Sequence, residues 1–161
     1  MSNITPQRPR NTFTSRRTFA IVASQYNPEY VKGLVSSVQD ELEILSPKST
    51  VTLVEVPGAF EIPVVLQEVA AKGGFDAIIA LGVIIKGETA HADLIARAIT
   101  DSLQNIALRF RIPVIHEVLL VENEEQARTR TLGTTQNRGV EAARAAMQVA
   151  EAMNEVKKTS N

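Results

Sequence analysis

Four short apolar runs alternate along the chain with segments whose apolar residues recur every three or four positions. The runs are rich in β-branched residues and predict buried strands, whereas the longer spacing predicts helices that bury one face. Strands are expected at TFAIVAS (18–24), STVTLVEVPG (49–58), FDAIIALGVII (75–85) and IPVIHEVLLV (112–121). Helices are expected at 28–45, 62–71, 90–109, 124–130 and 139–156.

This alternation predicts a flavodoxin-like α/β three-layer sandwich. Strands that are apolar on both faces, separated by amphipathic helices, indicate a four-stranded parallel sheet that is covered on both sides. We expect one domain over residues 18–161. In such sheets ligands bind beyond the carboxyl ends of the strands. Those ends are expected at 25–27, at 58–61, at 86–91 and from His116 onward.

Residues 1–17 differ from the rest, since they hold four arginines, two prolines and no acidic residue. We expect a flexible, solvated, arginine-rich tail. An arm that orders against a neighbouring subunit is the alternative. RNA binding is disfavoured because the folded part has no matching basic composition.

Composition excludes several kinds of function. The formal net charge is −1, which does not favour nucleic acid or an anionic membrane as a partner. The chain has no cysteine, which excludes thiol catalysis and disulfides, and its two histidines make a zinc site improbable. Without an apolar run long enough for a membrane span or a signal peptide, we expect a cytoplasmic protein.

The junction of the third strand and the third helix carries Gly87, Glu88 and Thr89. A helix start offers unpaired amide N–H groups and favours an anion, so a phosphate is the natural ligand. The alternative is that Thr89 only caps the helix. His91 is expected one turn inside the helix, where it could carry protons or simply be a solvated polar residue. No dinucleotide or Walker motif is present.

The other strand ends carry further candidates. Glu61 could accept hydrogen bonds from a polyol, or its charge could only compensate the dipole at a helix N-terminus. Tyr26 and Phe60 could stack on a flat ring or belong to the core. Arg130 and Arg138 flank the last turn and could bind a phosphate or be solvated surface residues.

Three stretches resemble the lumazine synthases of riboflavin biosynthesis: VPGAFEIP (56–63), ALGVIIKGETAHADLI (80–95) and EEQARTRTLGTTQNRGVEAA (124–143). The resemblance extends over about residues 19–153. It implies an enzyme that condenses 5-amino-6-(D-ribitylamino)uracil with 3,4-dihydroxy-2-butanone 4-phosphate. The products would be 6,7-dimethyl-8-ribityllumazine, phosphate and water, formed without metal or cofactor.

The resemblance also implies roles for individual residues. Pyrimidine and ribityl groups would be bound by Tyr26, Asn27, Ala59, Phe60, Glu61, Val83, Ile84, His116 and Arg138. Phosphate would be bound by Gly87, Glu88, Thr89 and Arg130, with His91 and Arg130 as the catalytic residues. In this family the site lies between subunits of a homopentamer, so His116, Arg130 and Arg138 would come from the neighbour.

The short turn at 133–138 is compatible with an icosahedral shell of sixty subunits, as well as with one pentamer or a pair. Riboflavin synthase is a candidate partner. Several residues depart from the family pattern. His116 stands for phenylalanine, Glu117 for glycine, Arg138 for lysine, Lys86 for arginine and Ala92 for an aromatic, and Glu88 places a carboxylate at the phosphate segment. A flavin-binding module without turnover and a shell with a structural role are the alternatives.

Overall fold

The structure is a computed structural model that describes residues 7–8 and 15–159. These residues form four strands, five α-helices and one 3₁₀ turn at Ala59–Glu61. The strands are β1 (Thr18–Ser24), β2 (Thr50–Val56), β3 (Ala77–Ile85) and β4 (Val114–Val121). The helices are α1 (Pro28–Leu45), α2 (Ile62–Lys72), α3 (His91–Phe110), α4 (Glu124–Leu132) and α5 (Arg138–Thr159). Every expected strand and helix is confirmed, with ends displaced by three residues at most.

The sheet is parallel throughout, with the strand order β2-β1-β3-β4. Apolar residues of α1, α4 and α5 pack on one face, and those of α2 and α3 pack on the other. The flavodoxin-like three-layer sandwich is therefore confirmed. Fully buried side chains such as Phe19, Leu34 and Ile79 each stabilise the fold by about 1.5–3 kcal/mol. None of the helices in the described ranges is long and apolar enough to span a bilayer.

The expectation that every strand is apolar on both faces is wrong for β2. Its residues Thr50, Thr52, Leu53 and Glu55 are exposed, and only Val56 is buried. β2 pairs with β1 alone in this sheet, so it forms an edge. The sequence of a strand shows its residue types. Whether the strand is exposed at an edge depends on the order of the strands in the sheet.

Two arginines of the N-terminal segment contact the folded domain. Arg8 donates two hydrogen bonds to the Glu41 carboxylate, at 2.9 and 2.7 Å. Arg8 beside Glu41 lowers the pKa of that carboxyl. Arg17 is buried and pairs with Asp76 at 3.3 Å and with Glu151. Residues 1–6 and 9–14 of the expected tail lie outside the described residues, and its flexibility stays a prediction.

The connection between α4 and α5 depends on Asn137, which caps α5. Its side-chain oxygen accepts the N–H groups of Gly139 and Val140, at 2.9 and 3.2 Å. Its side-chain amide donates to Ser37 on α1, and to the carbonyls of residues 131 and 133. Gly139 allows this close approach, because a Cβ there would lie 2.7 Å from the Leu34 oxygen. The start of α5 is thus held directly against α1.

Asn137→Ala should destabilise the protein by about 1–3 kcal/mol, because it removes a helix cap and leaves buried backbone groups unpaired. Urea unfolding at one fixed protein concentration would measure this loss. Gln148→Ala, which removes an exposed amide from the same helix, is the matched control. Equal midpoints for the two variants would contradict the role assigned to Asn137.

Candidate active site

The loops after β1, β2 and β3 meet at one edge of the sheet. The N–H of Gln25 donates to the carbonyl of Val56 at 2.8 Å, and the N–H of Tyr26 donates to that of Pro57 at 3.2 Å. These bonds join the loop before α1 to the end of β2. The ends of β1 and β2 are therefore brought together as predicted.

Asn27 joins the same loop to β3. Its backbone is in the left-handed region, with φ 55° and ψ 55°, which asparagine tolerates better than most residues. Its side-chain amide donates to the carbonyl of Val83 at 2.8 Å. Asn27 therefore holds the loop beside Val83 and Ile84, the two residues expected at the pyrimidine edge.

An aromatic and acidic group follows β2. The Glu61 carboxylate accepts the N–H of Gly58 at 2.9 Å, and Ala59 lies between them in the 3₁₀ turn. The Tyr26 ring packs beside Gly58. A Cβ added to Gly58 would lie 3.1 Å from that ring and 2.7 Å from the Glu61 carboxylate. Tyr26 and Phe60 are 70% and 61% exposed, so neither is the core residue of the alternative interpretation. Both rings are accessible for stacking.

Gly87, Glu88 and Thr89 lie in the exposed loop between β3 and α3. The helix cap falls on Ala90, which has no side-chain oxygen, so Thr89 does not occupy the N-cap position. His91 is the first residue of α3, and the expectation of one turn inside the helix is wrong because the loop is longer. Unpaired amides and the helix dipole at this end favour a bound anion.

Lys86 holds the base of this loop. Its ammonium lies 2.7 Å from the Glu122 carboxylate at the end of β4 and 3.6 Å from Asp93 in the first turn of α3. Its backbone N–H donates to the carbonyl of Val121 at 2.9 Å. The hydrogen bond that Lys86 donates to the Glu122 carboxylate raises the pKa of Lys86. Lys86 therefore connects β4 to the start of α3.

His116 does not lie at a strand end, which corrects the expected position. It is the third residue of β4 and is in register with Ala80 in the middle of β3. The N–H of Val118 donates to its Nδ1 at 3.2 Å, so the ring proton is assigned to Nε2, which lies 2.7 Å from the Thr100 hydroxyl. Burial lowers the pKa of His116, which is consistent with a neutral imidazole.

Arg138 and Glu117 form a second group, on the face of the sheet that α5 covers. Nε of Arg138 donates to Glu117 at 3.2 Å, and its Nη1 donates to Glu141 at 2.7 Å. Arg138 is buried, whereas Arg130 on α4 is half-buried. Burial raises the pKa of Glu117 to about 7, against the opposing effect of Arg138. A solvated surface position for Arg138 is therefore excluded.

Within one chain the candidates divide into two sets. The edge of the sheet unites Tyr26, Asn27, Ala59, Phe60, Glu61, Val83, Ile84, Gly87, Glu88, Thr89 and His91. The other set lies elsewhere in the chain. His116 contacts α3 at Thr100, nine residues after His91, which is about 13 Å along a helix. Arg138 is on the α5 side of the sheet.

Sequence reasoning missed two residues and one ion pair that organise these sets. Asn137 carries a signal, since asparagine before a helical pattern is a typical cap. No sequence signal marks the other two contacts, because their residues are far apart in the chain. Thr100 and His116 are 16 positions apart, and Glu117 and Arg138 are 21 positions apart.

The parallel sheet and the exposed group at its carboxyl edge define a flavodoxin-like α/β protein with a candidate site for a flat ring and an anion. Residues 16–154 match the family described as 6,7-dimethyl-8-ribityllumazine synthase. The protein of that name from Paraburkholderia phymatum is 44% identical over 131 residues, which cover 81% of this chain and 74% of the relative. The Leuconostoc mesenteroides protein of the same name is 33% identical over 144 residues, covering 89% and 92%. The chain belongs to the 6,7-dimethyl-8-ribityllumazine synthase family.

Asn27→Gly should destabilise the protein by about 0.5–1.5 kcal/mol, because the bond to Val83 is lost while the left-handed backbone is kept. Asn27→Ala should cost about 1–2 kcal/mol more, because a Cβ is strained in that conformation. Thermal unfolding of both variants would give the difference. An alanine variant as stable as the glycine variant would contradict the assigned strain.

Proposed function

We propose that this protein is a transferase that condenses 5-amino-6-(D-ribitylamino)uracil with 3,4-dihydroxy-2-butanone 4-phosphate. The products are 6,7-dimethyl-8-ribityllumazine, phosphate and water, and the pathway is riboflavin biosynthesis. The observation that carries this proposal is the family match over residues 16–154. The exposed rings and the open helix start at one edge of the sheet support it.

The pyrimidine and its ribityl chain bind among the loops after β1, β2 and β3. Tyr26 offers an exposed ring for stacking, and Asn27 positions the Val83 and Ile84 backbone beside it. Ala59 and Phe60 line the same edge. Glu61 has a second carboxylate oxygen that can accept a ribityl hydroxyl while its Oε2 accepts the Gly58 N–H.

The phosphate of the ketone binds at the start of α3. Gly87, Glu88 and Thr89 supply backbone N–H groups and a hydroxyl, and Arg130 supplies a charge-assisted donor. Phosphate is both the group that is held and the group that leaves. An amide-lined helix end with an arginine stabilises the negative charge that develops on it.

His91 moves protons in this reaction. The amine adds to the ketone, water and phosphate leave, and a ring closes, so that each step transfers a proton. A positioned histidine typically contributes about 10²–10⁴-fold to such steps. Holding the two reactants in contact supplies much of the remaining acceleration. His91 is exposed in the chain, at the first turn of α3, where it is accessible to a bound substrate.

The complete site forms between subunits of a homopentamer. His116, Arg130 and Arg138 then reach the carboxyl edge of the neighbouring chain, which accounts for the separation of His116 and Arg138 from His91 within one chain. Pentamers assemble further into an icosahedral shell of sixty subunits, with riboflavin synthase as a candidate partner. Sedimentation velocity would separate a pentamer, a pair of pentamers and a shell.

His91→Asn should lower kcat by tens-fold or more, because asparagine keeps the polarity of the side chain but cannot transfer a proton. The assay mixes both substrates and follows the green fluorescence of the lumazine above the uncatalysed reaction. Size-exclusion chromatography would confirm that the assembly is intact. An unchanged rate would remove His91 from the mechanism.

The same assay tests the reaction itself. Wild-type catalysis that His91→Ala abolishes would support both the reaction and the site. No rate above background, together with tight riboflavin binding, would instead identify a flavin-binding module.

Arg130→Ala should raise the KM of the phosphorylated ketone about tenfold or more, because it removes a charge-assisted contact to phosphate. The KM of the ribitylaminouracil should change little. Arg128→Ala is the matched control, since residues two apart do not share a helix face and the Arg128 guanidinium pairs with Glu29. An unchanged ketone KM in Arg130→Ala would refute this role.

A further inference from the structure

Glu117 is a buried carboxyl group in β4 to which the proposed reaction assigns no role. Its side chain is 8% exposed. Successive residues of a strand point to opposite faces, so Glu117 faces α5 while His116 faces α3. Its register partner in β3 is Leu81, an apolar residue of the core on the same face. Water therefore does little to stabilise the charged form of Glu117.

Charged groups reach Glu117 from two helices. Arg138 in α5 donates to its Oε2 at 3.2 Å, and Glu141 accepts from the same guanidinium at 2.7 Å. Arg130 in α4 acts through its charge, which lowers the pKa of Glu117, whereas the charge of Glu141 raises it. Arg130 and Arg138, the two arginines proposed to face the substrate, thus both interact with the buried Glu117 carboxylate. We call Glu117, Arg130, Arg138 and Glu141 the β4 ion cluster.

The charge of the β4 ion cluster depends on one proton. When Glu117 is ionised, the charges of the two carboxylates and two guanidinium groups in the cluster sum to zero. With Glu117 protonated, the sum is +1. A phosphate monoester carries about −1.5 to −2 charges at neutral pH. Such an anion is attracted more strongly to the protonated cluster than to the neutral one.

We propose that Glu117 is a positioning residue that competes with the substrate phosphate for Arg130 and Arg138, and that it takes up a proton from solvent when the phosphate binds. In this proposal Arg138 binds the phosphate, in place of the pyrimidine and ribityl role that the resemblance implies. This proposal rests on the proposed function for the identity of the anion. Glu117 acts through the arginines and does not touch the reacting atoms.

The electrostatics of the free protein support this role. Burial raises the pKa of Glu117 to about 7, so the group is partly protonated near neutral pH. An approaching anion raises that pKa further, because it disfavours a second negative charge nearby. If the protonated form alone binds phosphate, the apparent dissociation constant increases as the protonated fraction falls. Between about pH 6 and pH 8 that fraction falls roughly tenfold.

The same shift has a consequence for stability. The folded-state pKa of Glu117 is above its unfolded value, so the folded protein binds more protons between the two values. The stabilisation of the folded state that comes from the raised pKa of Glu117 is fully present below the unfolded pKa. It is lost as the pH rises through about 7. The difference in unfolding free energy between Glu117→Gln and the wild type should therefore shift in favour of the variant as the pH rises.

Glu117→Gln tests the proposal, because glutamine keeps the size and an acceptor oxygen but cannot ionise. We expect the ratio of wild-type to variant KM for the phosphorylated ketone to rise from about 1 near pH 6 to about 10 at pH 8. Ionisation of the substrate affects both proteins equally and leaves the ratio unchanged. The KM of the ribitylaminouracil should show no such trend. A ratio that stays constant with pH would overturn the proposal.

Glu155→Gln is the matched control. It makes the same change of net charge at an exposed position near the other end of α5. Its KM profile should follow that of the wild type. A similar pH trend in this variant would attribute the effect to net charge and would also overturn the proposal.

A binding measurement separates this proposal from the reaction. Calorimetry with inorganic phosphate as the probe, at pH 7.5 in two buffers of different ionisation enthalpy, counts the protons taken up on binding. The wild type should take up about 0.5–0.8 proton more per site than Glu117→Gln. Equal uptake would refute the role of Glu117, even if lumazine is formed. A difference without lumazine formation would refute the proposed reaction and retain the anion-linked proton.

Discussion

A parallel pair of strands cannot be joined by a tight turn, and this constraint organises the molecule. Each strand must be followed by a crossover that returns the chain to the same starting edge. The carboxyl ends therefore share one edge, where the loops after β1, β2 and β3 meet. Few side chains are needed to hold them. Asn27 reaches across to β3, and two backbone bonds join the loop after β1 to the end of β2. The exposed rings and the open helix start are thus neighbours because of connectivity.

β4 uses the alternation of a strand to place two different titratable groups on two faces of one sheet. Burial lowers the pKa of His116 and raises that of Glu117. The cause is the same, since a low dielectric disfavours whichever form is charged. A neutral imidazole therefore contacts Thr100 on one face, and a carboxyl group that titrates near neutrality pairs with Arg138 on the other. One strand supplies both a neutral hydrogen-bonding group and a variable charge.

The order and type of the elements could be predicted from the sequence, because apolar spacing differs between strands and helices. The edge position of β2 could not, since it depends on how the strands assemble. Three candidate strand ends were brought together as expected, but His116 was misplaced because the carboxyl end of β4 comes at Val121. The pairing of Arg138 with Glu117 had no sequence signature, since the two residues lie 21 positions apart. A tertiary ion pair is recognisable only when the fold is known.

Gly139 follows Arg138 at the start of α5 and lies against the backbone of α1. A methyl group there would lie 2.7 Å from the Leu34 oxygen and 2.8 Å from the Ser37 Cβ, so the two helices would have to separate. Such a movement would displace the Arg138 guanidinium from the Glu117 carboxylate. The spacing of the Arg138 and Glu117 charges therefore depends on the absence of a Cβ at Gly139. A position without a side chain can in this way fix the geometry of a buried ion pair next to it.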